Sequence, residues 1–143
     1  MTLAALDVGG KRIGIARTDE MGFMAHAVGF IERRTDKQAV ADIRNFVLEC
    51  SAKKLVVGLP KDLSGKIGIA ADKVMRFAEL LKKELPEVEI EFWDERLSSK
   101  VAERVLIEGG VSRRKRRQSI DKLAAQAILQ SYLDAHKTRF SAC

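Results

Sequence analysis

The sequence predicts an α/β domain built on a mixed five-stranded sheet with helices on both faces. Three observations carry that expectation. Three short apolar runs separated by turn residues come first, segments of helical period then alternate with further short apolar runs, and the last apolar stripe again has helical period.

Leu3-Ala-Ala-Leu-Asp-Val8 reads as a buried strand and Gly9-Gly-Lys11 as a turn. Arg12 to Arg17 is the antiparallel partner, because Ile13 and Ile15 alternate with glycine and alanine. A third strand spans Ala25 to Ile31, after the turn Asp19-Glu-Met-Gly22. Thr35, with Gln38 three residues later, has the pattern of a capping box, and Val40, Ile43, Val47 and Cys50 follow at helical spacing, which directs Cys50 toward the core. Lys54-Leu-Val-Val-Gly58 suits a strand buried on both faces, and Pro60 and Gly65 break the loop after it. Ala70, Val74, Phe77, Ala78, Leu81 and Leu85 mark one face of a helix that stops before Pro86. Val88 to Trp93 alternates apolar residues with glutamates as a fifth strand. Val101, Ala102, Val105 and Leu106 give a short helix closed by Gly109-Gly110. The final helix runs from about Ser119 to Ala135, with Leu123, Ala124, Ala127 and Ile128 inward.

At 143 residues the chain is long enough for one well-cored domain, expected over residues 1–138 with a short tail at 139–143. Its 46% hydrophobic and 32% charged residues exclude a disordered or fibrous chain. Twenty-six Lys and Arg against 20 Asp and Glu leave a net charge of +6, which favours polyanionic partners. Cys50 and Cys143 form neither a metal-binding nor a disulfide pattern, so a reducing cytoplasm is the expected home. The apolar start is cut short by Asp7 with no basic region before it, which argues against a secretion signal. No stretch approaches the roughly 20 apolar residues of a membrane span.

Three acids are the candidate chemical groups. Asp7 interrupts an apolar strand, where a lone carboxylate costs several kcal/mol unless it is paired, hydrogen-bonded or bound to a metal. Bonding to the backbone of the Gly9-Gly10 turn is the plainer alternative. Glu95, in Asp94-Glu-Arg-Leu97, follows a strand at the carboxyl edge, where open α/β sheets place their ligands, although taken by itself the stretch reads more simply as a helix-start acid with a surface ion pair, since acids favour first turns. Asp121 opens the last helix on the edge of its packed face, and it too has the simpler reading of a first-turn aspartate favoured by the helix dipole. Three carboxylates at one point would suit Mg²⁺ or Mn²⁺, hard ions that take oxygen ligands and serve phosphodiester hydrolysis. His26 and His136 show no ligand spacing and read as surface residues, so zinc has no case. The run Arg113-Arg-Lys-Arg-Arg117 cannot pack in a core and forms an exposed cationic approach to Asp121, joined by Lys11 and Arg12 near Asp7.

Leu6-Asp-Val-Gly-Gly-Lys-Arg-Ile-Gly-Ile-Ala16, Val57-Gly-Leu-Pro60, Asp94-Glu-Arg-Leu-Ser98, and Asp121-Lys-Leu-Ala-Ala125 with Ile128-Leu-Gln-Ser-Tyr-Leu133 resemble the blocks of the YqgF/RuvX family, in order and over nearly the whole chain. That resemblance implies a ribonuclease H-like fold similar to that of the RuvC resolvases. Members are described either as Holliday-junction resolvases or as nucleases that trim the 5′ end of precursor 16S ribosomal RNA. It further implies that Asp7, Glu95 and Asp121 are the metal-binding, catalytic acids. Gly10 stands where a threonine is common in the family, and Ser98-Ser99 where two threonines are usual.

The expected protein is therefore a Mg²⁺- or Mn²⁺-dependent nuclease. Lys11, Arg12, Arg96, Arg113, Arg114, Lys115, Arg116 and Arg117 would grip the phosphates of structured RNA or branched DNA. Junction resolution calls for a homodimer with two symmetric sites, whereas end trimming needs only a monomer. Two other classes stay open. Asp7-Val-Gly-Gly10 also resembles the phosphate loop of actin-like ATP-binding folds, which pair two such domains, and a non-catalytic nucleic-acid-binding factor would need only the basic loop.

Overall fold

The computed structural model describes residues 1–60, 68–95 and 123–136. The short helix expected at Val101 to Leu106 lies outside them. The elements are β1 (Leu3–Val8), β2 (Arg12–Thr18), β3 (Ala25–Glu32), α1 (Asp36–Cys50), β4 (Lys54–Leu59), α2 (Ile69–Glu84) and β5 (Glu89–Asp94). A last helix, α3, occupies residues 123–136.

The five strands form one sheet in the order β3-β2-β1-β4-β5. The pairs β1–β2 and β2–β3 are antiparallel, while β1–β4 and β4–β5 are parallel. Tight turns suffice for the antiparallel half. The parallel half requires crossovers, which α1 and α2 supply. As a result β1, β4 and β5 all point their carboxyl ends at one edge, and Asp7 and Glu95 both lie there.

Side-chain alternation along β1 sorts its residues onto two different faces. Leu6 of β1, Ile13 of β2, and Leu55 and Val57 of β4 pack with Ile43 and Val47 of α1 and with Phe77 and Leu81 of α2. Ala5, Ala16 and Val56 turn the other way, against Ala125, Ile128, Leu129 and Tyr132 of α3. Alanines on both sides of this second interface let α3 lie close to the sheet. Two side-chain bonds fix it at the start of β3: Gln126 Nε2 donates to the Ala25 carbonyl at 3.1 Å, and the Ala25 amide donates to Gln130 Oε1 at 3.1 Å.

Three details differ from the sequence reading. The inward face of α2 begins at Ala71, and Ala70 is exposed. In α3 the buried stripe is Ala124, Ala125, Ile128, Leu129, Tyr132 and Leu133, with Leu123 and Ala127 at its margin. Alanine is too small to fix a helix's phase, so an apolar pattern anchored on alanines can slip by one residue. Cys50 is half-buried at the end of α1, packed against the core rather than within it, and burial raises its thiol pKa. Among the described residues, no helix is long and apolar enough to cross a membrane.

The cap of α1 forms as its sequence indicates. Thr35 is the N-cap, its side chain accepts from the Gln38 amide at 3.1 Å, and Gln38 Oε1 in return accepts from the amide of Arg34 at 3.1 Å, one residue before the cap. Thr35→Ala leaves an orphan amide and is expected to cost about 1 kcal/mol. Urea denaturation checks this, with the midpoint falling at an unchanged slope. A midpoint equal to that of the wild type would mean that the cap contributes nothing.

Candidate active site

Asp7 sits near the end of β1, opposite Gly14 of β2, on the face that α3 covers. Glu95 is the first residue after β5. The two strands are not neighbours, because β4 runs between them, yet the carboxyl groups of Asp7 and Glu95 are in hydrogen-bond contact. Asp94 is paired with Leu59, a residue of the opposite core, so alternation gives the α3 face to Glu95 and answers which of the two acids turns inward.

Burial pushes the Glu95 carboxyl up to about 9, and the hydrogen bond with Asp7, the charge of Asp7 and the charge of Asp94 push the same way. Two carboxyls in contact cannot both ionise cheaply in such a place. Without a cation between them, the pair retains a proton at neutral pH. Two carboxyl groups held in contact are oxygen donors of the kind that hard divalent ions take, and a dication between them would replace the proton, so the pair is chemically fit to ligate such an ion.

Of the three predicted acids, the structure brings Asp7 and Glu95 together, while Asp121 lies outside the described residues. Among the described residues, no cluster of three or more His, Cys, Asp or Glu side chains is arranged to hold a metal. Arg96 and Arg113, Arg114, Lys115, Arg116 and Arg117 also fall outside the description. Lys11 is exposed in the β1–β2 turn, and Arg12 opens β2 with its guanidinium 5.5 Å from the Phe30 ring centre. Both cations are therefore at the same sheet edge as Asp7.

Arg33 is a contributor that the sequence did not reveal. The β1–β2 turn is closed by the Gly9 amide donating to the Arg12 carbonyl at 2.9 Å. Arg33 Nη1 then donates to the Gly9 carbonyl at 3.0 Å, and its backbone amide donates to the Lys11 carbonyl at 2.8 Å. The same guanidinium lies 4.7 Å from the Phe77 ring centre and pairs with Asp36 at 2.9 Å. This brace ties the turn after Asp7 to both helices of the larger core.

His26 is exposed as expected, while His136 is half-buried, its ring packed against aromatic neighbours. It stacks on Tyr132 at 3.9 Å between ring centres, and Trp93 meets Tyr132 edge-on at 5.3 Å. Tyr132 Oη donates to Glu91 at 2.7 Å, and Lys54 pairs with the same carboxylate at 2.6 Å. Burial pushes Glu91 up, but Lys54 and Tyr132 outweigh it and hold the carboxyl below its ordinary value. This cluster anchors α3 to β4 and β5 and leaves Glu91 no role like that of Glu95.

The sequence profile of the family described as RuvX, Holliday junction resolvase, matches residues 1–135. The chain belongs to the RuvX family. Membership places it among the nucleases, as the sequence resemblance implied. A relative from Clostridioides difficile (strain 630) is 46% identical over 132 residues, covering 92% of this chain and 93% of its own length. Another, from Caldanaerobacter subterraneus subsp. tengcongensis, is 46% identical over 138 residues, covering 96% and 99%. Both are named, provisionally, pre-16S rRNA nucleases. Among solved structures, T. thermophilus RuvC in complex with a Holliday junction substrate aligns with a TM-score of 0.60 at 13% identity, over 96% of each chain. The fowlpox virus Holliday junction resolvase aligns with a TM-score of 0.57 at 13% identity, over 94% of this chain and 99% of its own. These likenesses establish the ribonuclease H-like fold.

Because the Glu95 carboxyl lies near 9 when folded against 4.5 for a free side chain, its contribution to stability is complete below about 4.5 and is lost as pH rises toward 9. Glu95→Gln removes that dependence. In the presence of a chelator, the variant should melt about 10 °C or more above the wild type at about pH 8, with the gap closing toward pH 5. An equal or lower melting temperature at pH 8 would contradict the shared proton.

Proposed function

We propose that this RuvX-family chain is a Mg²⁺- or Mn²⁺-dependent nuclease that processes the 5′ end of precursor 16S rRNA, with Asp7, Glu95 and Asp121 as its metal-holding acids. The observation that carries this reading is the contact between Asp7 and Glu95 at the carboxyl edge of the sheet, two acids held so close that ionising both together is costly without a cation. When bound, a divalent ion supplies Lewis-acid activation of water and stabilises charge on the leaving oxygen.

The chain's own residues do the rest. Asp7, held on a strand paired on both sides, supplies a fixed oxygen ligand, and Glu95 supplies the second after giving up its proton. Asp121 completes the acid set. Lys11 and Arg12 bind phosphates beside Asp7, with Arg96 and the run Arg113 to Arg117 extending the cationic surface over a nucleic-acid backbone. Eight aromatic residues in 143 leave few stacking platforms, so recognition rests on backbone and shape.

RNA is favoured by the names of the relatives that align over nearly the whole chain. The description of the family favours a second reading, resolution of four-way DNA by a homodimer, in which two symmetric sites make paired cuts. Both readings use the same acids, so one experiment tests the shared chemistry and separates the substrates. A precursor 16S fragment and a synthetic four-way junction are incubated with wild type and Asp7→Asn, in Mg²⁺, in Mn²⁺ and in chelator. Wild type should cleave the RNA at one end only when metal is present, and Asp7→Asn should be slower by about 100-fold or more. Equal cleavage by both proteins would remove Asp7 from the mechanism. Paired cuts in the junction with intact RNA would transfer the assignment to DNA.

A further inference from the structure

The contact between Asp7 and Glu95 has to be made across an intervening strand. Neighbouring strands lie about 4.8 Å apart, so the backbones of β1 and β5 are separated by roughly 10 Å with β4 between them. Any side chain that β4 raised on the α3 face at that level would occupy the path. The residue there is Gly58, one step beyond the Leu6–Val57 pair and directly paired with Trp93. Val56 two residues before it packs on the α3 face, so by alternation a side chain at 58 would point the same way.

The space above Gly58 is filled from two sides. A Cβ built on it would lie 2.8 Å from Glu95 Cγ, 2.8 Å from Glu95 Oε1 and 2.5 Å from Ile128 Cδ1. None of these approaches is tolerable for a real Cβ, and Glu95 would be met at its stem as well as its tip. Backbone freedom is not what glycine provides here, since Gly58 is not among the positive-φ glycines. Its use is the missing side chain.

We propose that Gly58 is a positioning residue for the nuclease site: its bare Cα forms the channel through which Glu95 reaches over β4 to Asp7, while Ile128 in the same space sets how closely α3 approaches. The inference rests on the reading of Asp7 and Glu95 as metal ligands. It adds that a residue with no functional group determines whether the two acids can act on one ion. It also accounts for the length of the second acid, because a side chain starting on β5 must span the width of β4 before it meets a short aspartate on β1.

Calorimetric titration of Mn²⁺ into the full chain tests this, with Gly58→Ala, Ile128→Val, the double variant Gly58→Ala/Ile128→Val, Asp7→Asn and Glu95→Gln measured beside the wild type. The double variant matters because Ile128→Val removes the Cδ1 that an added methyl would strike, leaving only the conflict with Glu95. Gly58→Ala should bind Mn²⁺ about 10- to 100-fold more weakly than wild type, and the double variant weaker than Ile128→Val by a similar factor while melting close to it. Excess Mn²⁺ should restore cleavage by Gly58→Ala but not by Glu95→Gln. Unchanged Mn²⁺ affinity in Gly58→Ala, with Asp7→Asn and Glu95→Gln impaired, would overturn the role of Gly58 alone. Unchanged affinity in Asp7→Asn and Glu95→Gln would overturn the metal reading itself. Recovery of affinity in the double variant, or loss of fold in both Gly58 variants, would assign the crowding to the core and not to Glu95.

Discussion

Two carboxyl groups in contact inside a folded protein are a standing electrostatic cost, and the architecture around Asp7 and Glu95 is what sustains it. Asp7 cannot retreat, because β1 is hydrogen-bonded to β2 on one side and to β4 on the other. Glu95 has little room to swing away, since β5 ends immediately before it and Ile128 shares the space above Gly58. A protein that needed only stability would not hold these groups together. The proposed metal site gives that cost a use, because a hard dication bound between two carboxyl groups would replace the proton they share.

The two faces of the sheet divide the work. Beneath α1 and α2 lies the larger aliphatic core, with Leu6, Ile13, Ile43, Leu55, Phe77 and Leu81 almost fully buried. That face holds the strands in register, and through Arg33 it also braces the turn that follows Asp7. Across the sheet, α3 packs through small residues and is anchored at its far end by Tyr132, Glu91 and Lys54. Rigidity comes from the first face and close approach from the second. Parallel alignment of β1, β4 and β5 then delivers both acids to one edge, which is where open α/β sheets bind their ligands.

Much of this is legible in the amino-acid sequence, and the remainder is hidden for identifiable reasons. All five strands and the helices at 36–50, 69–84 and 123–136 follow from apolar period and from the Thr35 cap. Asp7 stands out because a carboxylate interrupts an apolar run. Choosing Glu95 over Asp94 needs the strand register, which pairs Asp94 with Leu59. Arg33 is invisible because its partners, Gly9 and Phe77, are distant in sequence. Gly58 reads as the end of a strand when in fact it lies within one, since nothing local reports that residues 95 and 128 converge above it. The half-buried His136 is missed for the same cause, its ring being held by Tyr132 and Trp93.

Membership of the RuvX family gives the chain a nuclease heritage, and the contact between Asp7 and Glu95 is in place before any substrate arrives. Titration of Mn²⁺ at neutral pH in buffers of different ionisation enthalpy counts the protons released on binding, and so reads the central contact directly. Saturable binding with release of roughly one proton, surrendered by the Asp7–Glu95 pair, is the expected result. Binding with no proton release, or no binding at all, would contradict it.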